Sequence, residues 1–143
     1  MSFLKKNIHI LPYLAWIVAI VATFGSLYYS EIARLAPCIF CWYQRIFMYP
    51  LVILIAVGIL IKDKKLPLYV LPFSMIGTVI ALYHYLLQWG IISDTLGPCQ
   101  LGVSCVSRYI EWFGFITIPF LSLLSFVTIT ILMYLLYRYS NKK

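Results

Sequence analysis

Residues 42–61 read WYQRIFMYPLVILIAVGILI. After Gln44 and Arg45, the stretch carries no charged side chain until Lys62. A helix rises 1.5 Å per residue, so about 20 apolar residues cross the roughly 30 Å hydrocarbon core of a bilayer. The stretch therefore predicts a transmembrane helix with two polar residues near its start.

Three further apolar runs of similar length accompany this stretch, at residues 8–29, 66–89 and 112–137. The chain is 64% hydrophobic and 10% charged, whereas soluble domains average about 45–50% apolar and 25% charged residues. A chain in lipid must satisfy its backbone hydrogen bonds internally, and continuous rather than alternating apolar runs favour helices over a barrel. We expect an all-α integral membrane protein in which residues 1–143 form one four-transmembrane-helix bundle.

The basic residues gather on one side of this predicted bundle. Eight of the eleven Lys and Arg flank the same ends of the spans: Lys5, Lys6, Lys62, Lys64, Lys65, Arg138, Lys142 and Lys143. Positive flanks stay in the cytoplasm, so both termini are expected there and segments 30–41 and 90–111 on the extracytoplasmic side. Because these residues only flank apolar helices, the formal charge of +7 does not indicate nucleic-acid binding. The first run is longer than the apolar region of a signal peptide, about 7–15 residues, and no A-x-A cleavage site follows it, which predicts an uncleaved anchor.

Four cysteines fall in the two predicted outer segments, Cys38 and Cys41 in the first and Cys99 and Cys105 in the second. An oxidising compartment favours disulfides, and four cysteines allow three connectivities. A four-cysteine zinc site is the other interpretation, but the second pair has five intervening residues where zinc sites usually have two to four. We therefore expect disulfide chemistry and no metal.

The surroundings of Cys41 predict a reactive thiol rather than a simple cross-link. Cys41 lies where the helix dipole favours an anion, and Arg45 lies four residues later on the same helix face. Both features favour the thiolate form. An arginine within a span is usually functional, although the Arg45 side chain also lies close enough to the surface to extend to the lipid headgroups.

Two stretches resemble a known family. Residues 37–45, PCIFCWYQR, contain Cys-x-x-Cys-x-x-Gln-Arg, which resembles the signature of the DsbB family of membrane disulfide bond formation proteins. Residues 82–88, LYHYLLQ, resemble the third span of that family. The short spacing of Cys99 and Cys105 is similar to the Gram-positive disulfide formation protein C subgroup (BdbC-like) and leaves open how far this pair can move towards the first.

The resemblance implies a quinone-dependent thiol–disulfide oxidoreductase in the bacterial plasma membrane. Its partner would be an extracytoplasmic, DsbA-like thioredoxin-fold thiol oxidase. Electrons would pass from the Cys99–Cys105 pair to the Cys38–Cys41 pair and then to the membrane quinone pool, either menaquinone or ubiquinone. By the same resemblance, Arg45, His84 and Gln44 are the candidate quinone-binding residues, and Cys41 is the cysteine nearest the quinone.

Two other functions fit parts of the sequence. A small structural or accessory membrane protein would use the same disulfides only to brace its outer segments. A relative of vitamin K epoxide reductase would also combine four helices, a CxxC motif and a quinone. The redox CxxC of that family belongs to a late span, however, whereas here the CxxC motif opens the second span.

Overall fold

The computed structural model describes residues 8–34, 37–92 and 117–140. This part of the chain forms long helices and no strands: α1, Leu11–Leu27; α2, Ile39–Leu60; α3, Leu66–Gln88; and α4, Ile118–Ser140. A 3₁₀ turn, Ile8–Ile10, precedes α1, and a π-helical turn, Tyr28–Ile32, extends it. The all-α class predicted from composition is therefore confirmed.

Each of the four helices is long and apolar enough to cross a membrane. With its flanking turns the first covers 25 residues, and the others have 22, 23 and 23. Large apolar side chains such as Phe24, Ile53 and Leu60 point away from the bundle and are mostly exposed. An apolar outer surface of this kind suits a lipid environment, in which helices carry hydrophobic residues all round.

The helices pack as an antiparallel ring in which α1 contacts α2, α2 contacts α3, α3 contacts α4 and α4 contacts α1. The indole of Trp16 in α1 donates a hydrogen bond to the Val52 carbonyl in α2, at 3.1 Å. The centre is filled by buried apolar side chains from all four helices: Ala15, Ala19, Leu51, Ile55, Val70, Ala81, Phe126, Ile129 and Met133. Small residues on α1 let its backbone approach the larger side chains of α2 and α4.

A tight hairpin joins α2 to α3 and decides which residues meet at the other end of the bundle. Lys62, with a φ of 52°, ends α2 in a Schellman motif. Its N–H bonds to the Ile59 carbonyl, and the Asp63 N–H bonds to the Gly58 carbonyl at 2.9 Å. Because the two helices run antiparallel from this turn, the start of α2 and the last turns of α3 lie side by side.

The end of α3 is fixed by a second Schellman motif. Gly90 has a φ of 70°, its N–H bonds to the Leu87 carbonyl, and the Ile91 N–H bonds to the Leu86 carbonyl at 3.1 Å. Glycine adopts this left-handed conformation without the steric cost that a side chain adds. The chain therefore leaves α3 within two turns of His84.

Candidate functional site

The first two cysteines surround the N-terminus of α2. Cys38 is the N-cap residue, with an extended backbone at φ −71° and ψ 170°. Cys41 follows in the first turn, so the CxxC spacing turns both side chains to the same side. Both are free thiols, and their Sγ atoms lie 3.0 Å apart. A disulfide is about 2.05 Å long, so closing the bond requires an approach of only about 1 Å.

His84 of α3 joins this pair from the neighbouring helix. Its Nε2 lies 3.5 Å from Cys38 Sγ, and its Nδ1 lies 3.1 Å from Gln44 Nε2. The amide nitrogen of Gln44 can only donate, so Nδ1 accepts and Nε2 carries the ring proton in neutral His84. Gln44 thus selects the tautomer that donates a hydrogen bond towards the Cys38 sulfur.

Cys38 and the two polar side chains next to the sulfur pair are shielded from solvent. Cys38 is 6% exposed, Gln44 6% and His84 2%. Buried polar groups need partners, and here Gln44, His84 and the two cysteines supply one another's partners in a continuous chain. We call this set, Cys38, Cys41, Gln44 and His84, the thiol–imidazole site.

The hydrogen bonds of the site act on the Cys38 sulfur. The Cys41 side chain donates to it, and His84 adds a second hydrogen bond through Nε2. Together they outweigh burial and lower the pKa of Cys38 from 9.0 to about 4. This arrangement favours the thiolate at Cys38, and the sequence-based expectation of a thiolate at Cys41 stays a prediction.

Arg45 makes its hydrogen bonds to α1. Its Nε donates to the Ser26 hydroxyl at 2.9 Å, and its Nη2 donates to the Ser26 carbonyl at 3.1 Å. The guanidinium also lies over the Trp42 ring, 5.4 Å from the centroid, within the range of a cation–π interaction. Within the described residues, Arg45 thus links α2 to α1 and makes no hydrogen bond to either sulfur.

Aromatic side chains cover the thiol–imidazole site. Phe40 is buried, with its ring centroid 5.4 Å from that of Tyr83 and 5.6 Å from that of His84. Leu87 and Ile80 complete the apolar wall beside Cys38 and Cys41. The Tyr83 hydroxyl is buried and has no hydrogen-bond partner among the described residues. An apolar, aromatic wall with one unpaired donor suits a flat, carbonyl-bearing ring such as a quinone.

Sequence reasoning found four members of this region and missed others. Cys38, Cys41, Gln44 and His84 were candidates and lie together. Ser26, Phe40 and Tyr83 were not singled out. Phe40 and Tyr83 resemble the many other aromatic residues near span ends, and Ser26 is one of several small polar residues in the first span, so their contacts alone identify them.

Cys99 and Cys105 lie outside the described residues. Their pairing and their part in electron transfer stay predictions. The roles given above to Arg45, His84 and Gln44 also stay predictions.

Comparison with known proteins agrees with the site. The family model for Disulfide bond formation protein DsbB matches residues 9–136. Disulfide bond formation protein C of Bacillus subtilis is 48% identical over 131 residues, 92% of this chain and 95% of that protein. A probable disulfide formation protein C of Halalkalibacterium halodurans is 44% identical over 135 residues, 94% and 98% of the two chains. A third relative, probable disulfide formation protein C 1 of Bacillus anthracis, is 47% identical over 117 residues, 82% and 84% of the two chains.

No solved structure shows significant similarity to this chain. The family match nevertheless covers all four long helices up to residue 136, and the relatives match over almost their whole length. A match of this extent shows that the chain belongs to the DsbB family, and that it is a multi-pass membrane oxidoreductase that forms disulfide bonds.

Proposed function

We propose that this protein reoxidises an extracytoplasmic, DsbA-like thioredoxin-fold thiol oxidase and transfers the electrons to membrane quinone. The observation that carries the proposal is the thiol–imidazole site, a reduced cysteine pair 3.0 Å apart with a histidine donor directed at Cys38. An inert structural disulfide has no need of a buried proton carrier beside it. The aromatic wall of Phe40 and Tyr83 supplies the place for a quinone ring.

The proposed relay begins at the second cysteine pair. A thiolate of the reduced partner attacks the Cys99–Cys105 disulfide, with Cys99 the expected target, and forms a mixed disulfide. The second thiol of the partner then displaces Cys99, which leaves the partner oxidised and this pair as a dithiol. A second exchange reduces Cys38–Cys41 and restores Cys99–Cys105. Each exchange needs an attacking thiolate with access to a disulfide sulfur.

Reoxidation of Cys38–Cys41 uses the groups of the thiol–imidazole site. Closing the S–S bond removes two electrons from the pair together with the remaining thiol proton at Cys41, and both electrons would pass to a bound quinone. Once the Gln44 amide turns and its oxygen accepts a proton held on Nδ1, the unprotonated Nε2 of neutral His84 can accept a proton from the sulfurs. When bound, quinone supplies the acceptor for two electrons and two protons, and thereby the driving force.

Five side chains are the proposed quinone contacts. Tyr83 offers its unpaired hydroxyl to a carbonyl oxygen, and Phe40 stacks against the ring. Arg45 holds positive charge near the same end of α2, while His84 and Gln44 complete the polar edge. Menaquinone and ubiquinone both carry two carbonyl groups on a flat ring.

The proposed orientation places the thiol–imidazole site at the extracytoplasmic surface of the bacterial plasma membrane. Helix α2 lies between Cys38 and the hairpin that carries three lysines, Lys62, Lys64 and Lys65. Its 22 residues span about 33 Å at 1.5 Å per residue. Basic residues at that opposite end support a cytoplasmic hairpin. The termini are proposed to lie on the same cytoplasmic side.

The test is quinone reduction by the purified protein with a reduced thioredoxin-fold oxidase as electron donor. We expect turnover in the unmodified chain and its loss in Cys41→Ser, whereas His9→Ala, far from the site, retains it. Cys99→Ser should lose turnover with the protein donor but keep it with a small dithiol, which can reduce Cys38–Cys41 directly. Unchanged turnover in Cys41→Ser contradicts the proposed relay. Testing menaquinone and ubiquinone analogues side by side identifies the acceptor.

A further inference from the structure

Three metal-binding side chains converge at the thiol–imidazole site. The sulfurs of Cys38 and Cys41 and a ring nitrogen of His84 all lie within 4.8 Å of one another. They come from two helices fixed in register by the α2–α3 hairpin. We propose that the reduced site binds one thiophilic divalent cation of the zinc class through Cys38 Sγ, Cys41 Sγ and His84 Nε2, and that this ion holds the pair in its dithiol state.

One donor distance already fits such an ion, and a second requires a small change. Zinc binds sulfur at about 2.3 Å and imidazole nitrogen at about 2.0–2.1 Å, so tetrahedral geometry requires about 3.6 Å between sulfur and nitrogen and about 3.8 Å between sulfurs. Cys38 Sγ and His84 Nε2 are 3.5 Å apart. The sulfurs, 3.0 Å apart, must separate by less than about 1 Å, a small side-chain rotation at the first turn of α2.

The charge of the complex also suits a buried position. Two thiolates so close together repel each other in a site of low dielectric constant. A divalent cation with two thiolates and a neutral imidazole has no net charge. Binding releases the proton of any ligand that is still a thiol, and a fourth coordination position remains open.

Gln44 can support the metal-bound state as well as the metal-free state. Coordination through Nε2 requires the ring proton to reside on Nδ1. A half-turn of the Gln44 amide replaces its nitrogen by its oxygen, which then accepts the Nδ1 proton. Metal-bound histidines commonly donate their second N–H to such an acceptor, which fixes the ring. Gln44 is buried beside His84, so this partner is already in place.

Metal binding and disulfide formation exclude each other at this site. A disulfide offers no thiolate, so only the reduced pair binds the ion. While the ion is bound, neither sulfur is free to attack the other. Zinc-class ions are therefore expected to act on this protein as inhibitors of reoxidation and not as cofactors.

The experiment uses reduced, detergent-purified protein with Cys99→Ser and Cys105→Ser, so that the thiol–imidazole site contains the only cysteines. Zn²⁺ is titrated in competition with a chromophoric chelator, and Cd²⁺ is followed by its thiolate charge-transfer absorption. We expect one ion per chain and protection of both thiols from maleimide. His84→Ala should weaken binding at least about tenfold, and Gln44→Ala roughly tenfold. His9→Ala, the control at the other histidine, should bind as the parent does.

X-ray absorption of the zinc-loaded parent provides a second measurement that needs no substitution at the site. Two sulfur ligands and at least one nitrogen ligand support the proposal. A sulfur-only shell, equal affinity in His84→Ala, or no stoichiometric binding overturns it. Because quinone and the protein partner are absent from these measurements, the result is independent of the proposed relay.

Discussion

At the scale of single residues, the central feature is the set of hydrogen bonds around the Cys38 sulfur. Cys41 and His84 both direct hydrogen bonds at it, and Gln44 fixes the histidine tautomer that makes this possible. A thiolate supported from two sides is ready to attack or to leave in disulfide exchange at neutral pH. The polar residues of the CxxCxxQR motif therefore have separable tasks, since Gln44 supports His84 while Arg45 contacts Ser26.

The low pKa of Cys38, about 4, predicts how its alkylation depends on pH. In the reduced chain with Cys99→Ser and Cys105→Ser and with a chelator present, the alkylation rate at Cys38 should stay nearly constant from about pH 6 to 9. An ordinary thiol, with a pKa near 8.5, reacts about tenfold faster for each pH unit over most of that range. The rate at Cys38 should fall only as the pH drops through about 4, where the thiolate gains its proton.

The matched variant for this measurement is His84→Ala, which removes one of the supporting hydrogen bonds. Its midpoint should move to higher pH, because the thiolate has lost a donor. Mass mapping of the alkylated residue separates Cys38 from Cys41. A tenfold rise per pH unit in the parent chain would show that Cys38 is an ordinary thiol.

The sequence identified the members of the site but not their connections. Spacing placed Cys38, Cys41, Gln44 and Arg45 on neighbouring turns, and resemblance added His84. Which sulfur becomes the thiolate depends on the distance between α2 and α3, which local sequence does not encode. The position of Arg45 depends likewise on Ser26, a residue 19 positions earlier.

At the scale of the helices, hydropathy predicted where a helix lies more accurately than it predicted the residue at which the helix begins. The predicted second span began at residue 42, whereas α2 begins at Ile39. The apolar run starts after the cysteines, but the helix starts directly after Cys38, whose extended backbone makes it the N-cap. This difference places Cys41 inside the first turn and brings its sulfur next to that of Cys38.

The space around two glycines, one in α3 and one in α1, predicts opposite effects for their substitution. A Cβ at Gly77 would overlap the ring of the fully buried Phe126, so Gly77→Ala should destabilise the bundle by about 1–3 kcal/mol. Gly25 has nothing within 4 Å of such a Cβ, so Gly25→Ala should stabilise it by about 0.5–1 kcal/mol. Thermal unfolding in detergent measures both, and equal shifts in the two variants would contradict the packing described here.

At the scale of the whole molecule, the sequence predicted the number of long apolar helices and their all-α class, because lipid permits few alternatives. The ring order of the helices was not predictable. All four are apolar over much of their surface, so hydrophobicity does not distinguish a lipid-facing side from a buried one. The buried faces are instead set by shape, with Ala15 and Ala19 on α1 opposite larger side chains.

The proposed orientation predicts a reciprocal labelling pattern in intact cells. After reduction, a membrane-impermeant maleimide should label Cys105, in the expected outer segment. In a chain otherwise free of cysteine, Lys64→Cys should stay unlabelled until the membrane is permeabilised, because the proposed orientation places the exposed hairpin in the cytoplasm. The reverse pattern would refute extracytoplasmic cysteine segments.

The hydrogen bonds from Arg45 to Ser26 make the first helix more than a means of attachment. A helix borrowed from another membrane protein, equally long and equally apolar, would hold the chain in the bilayer but leave the guanidinium without its hydroxyl and carbonyl acceptors. The proposed role of Arg45 at the quinone would therefore link the chemistry of this chain to its first helix. We expect a fusion that exchanges the N-terminal helix to change the surroundings of Arg45 at the start of α2 as well as the membrane attachment of the chain.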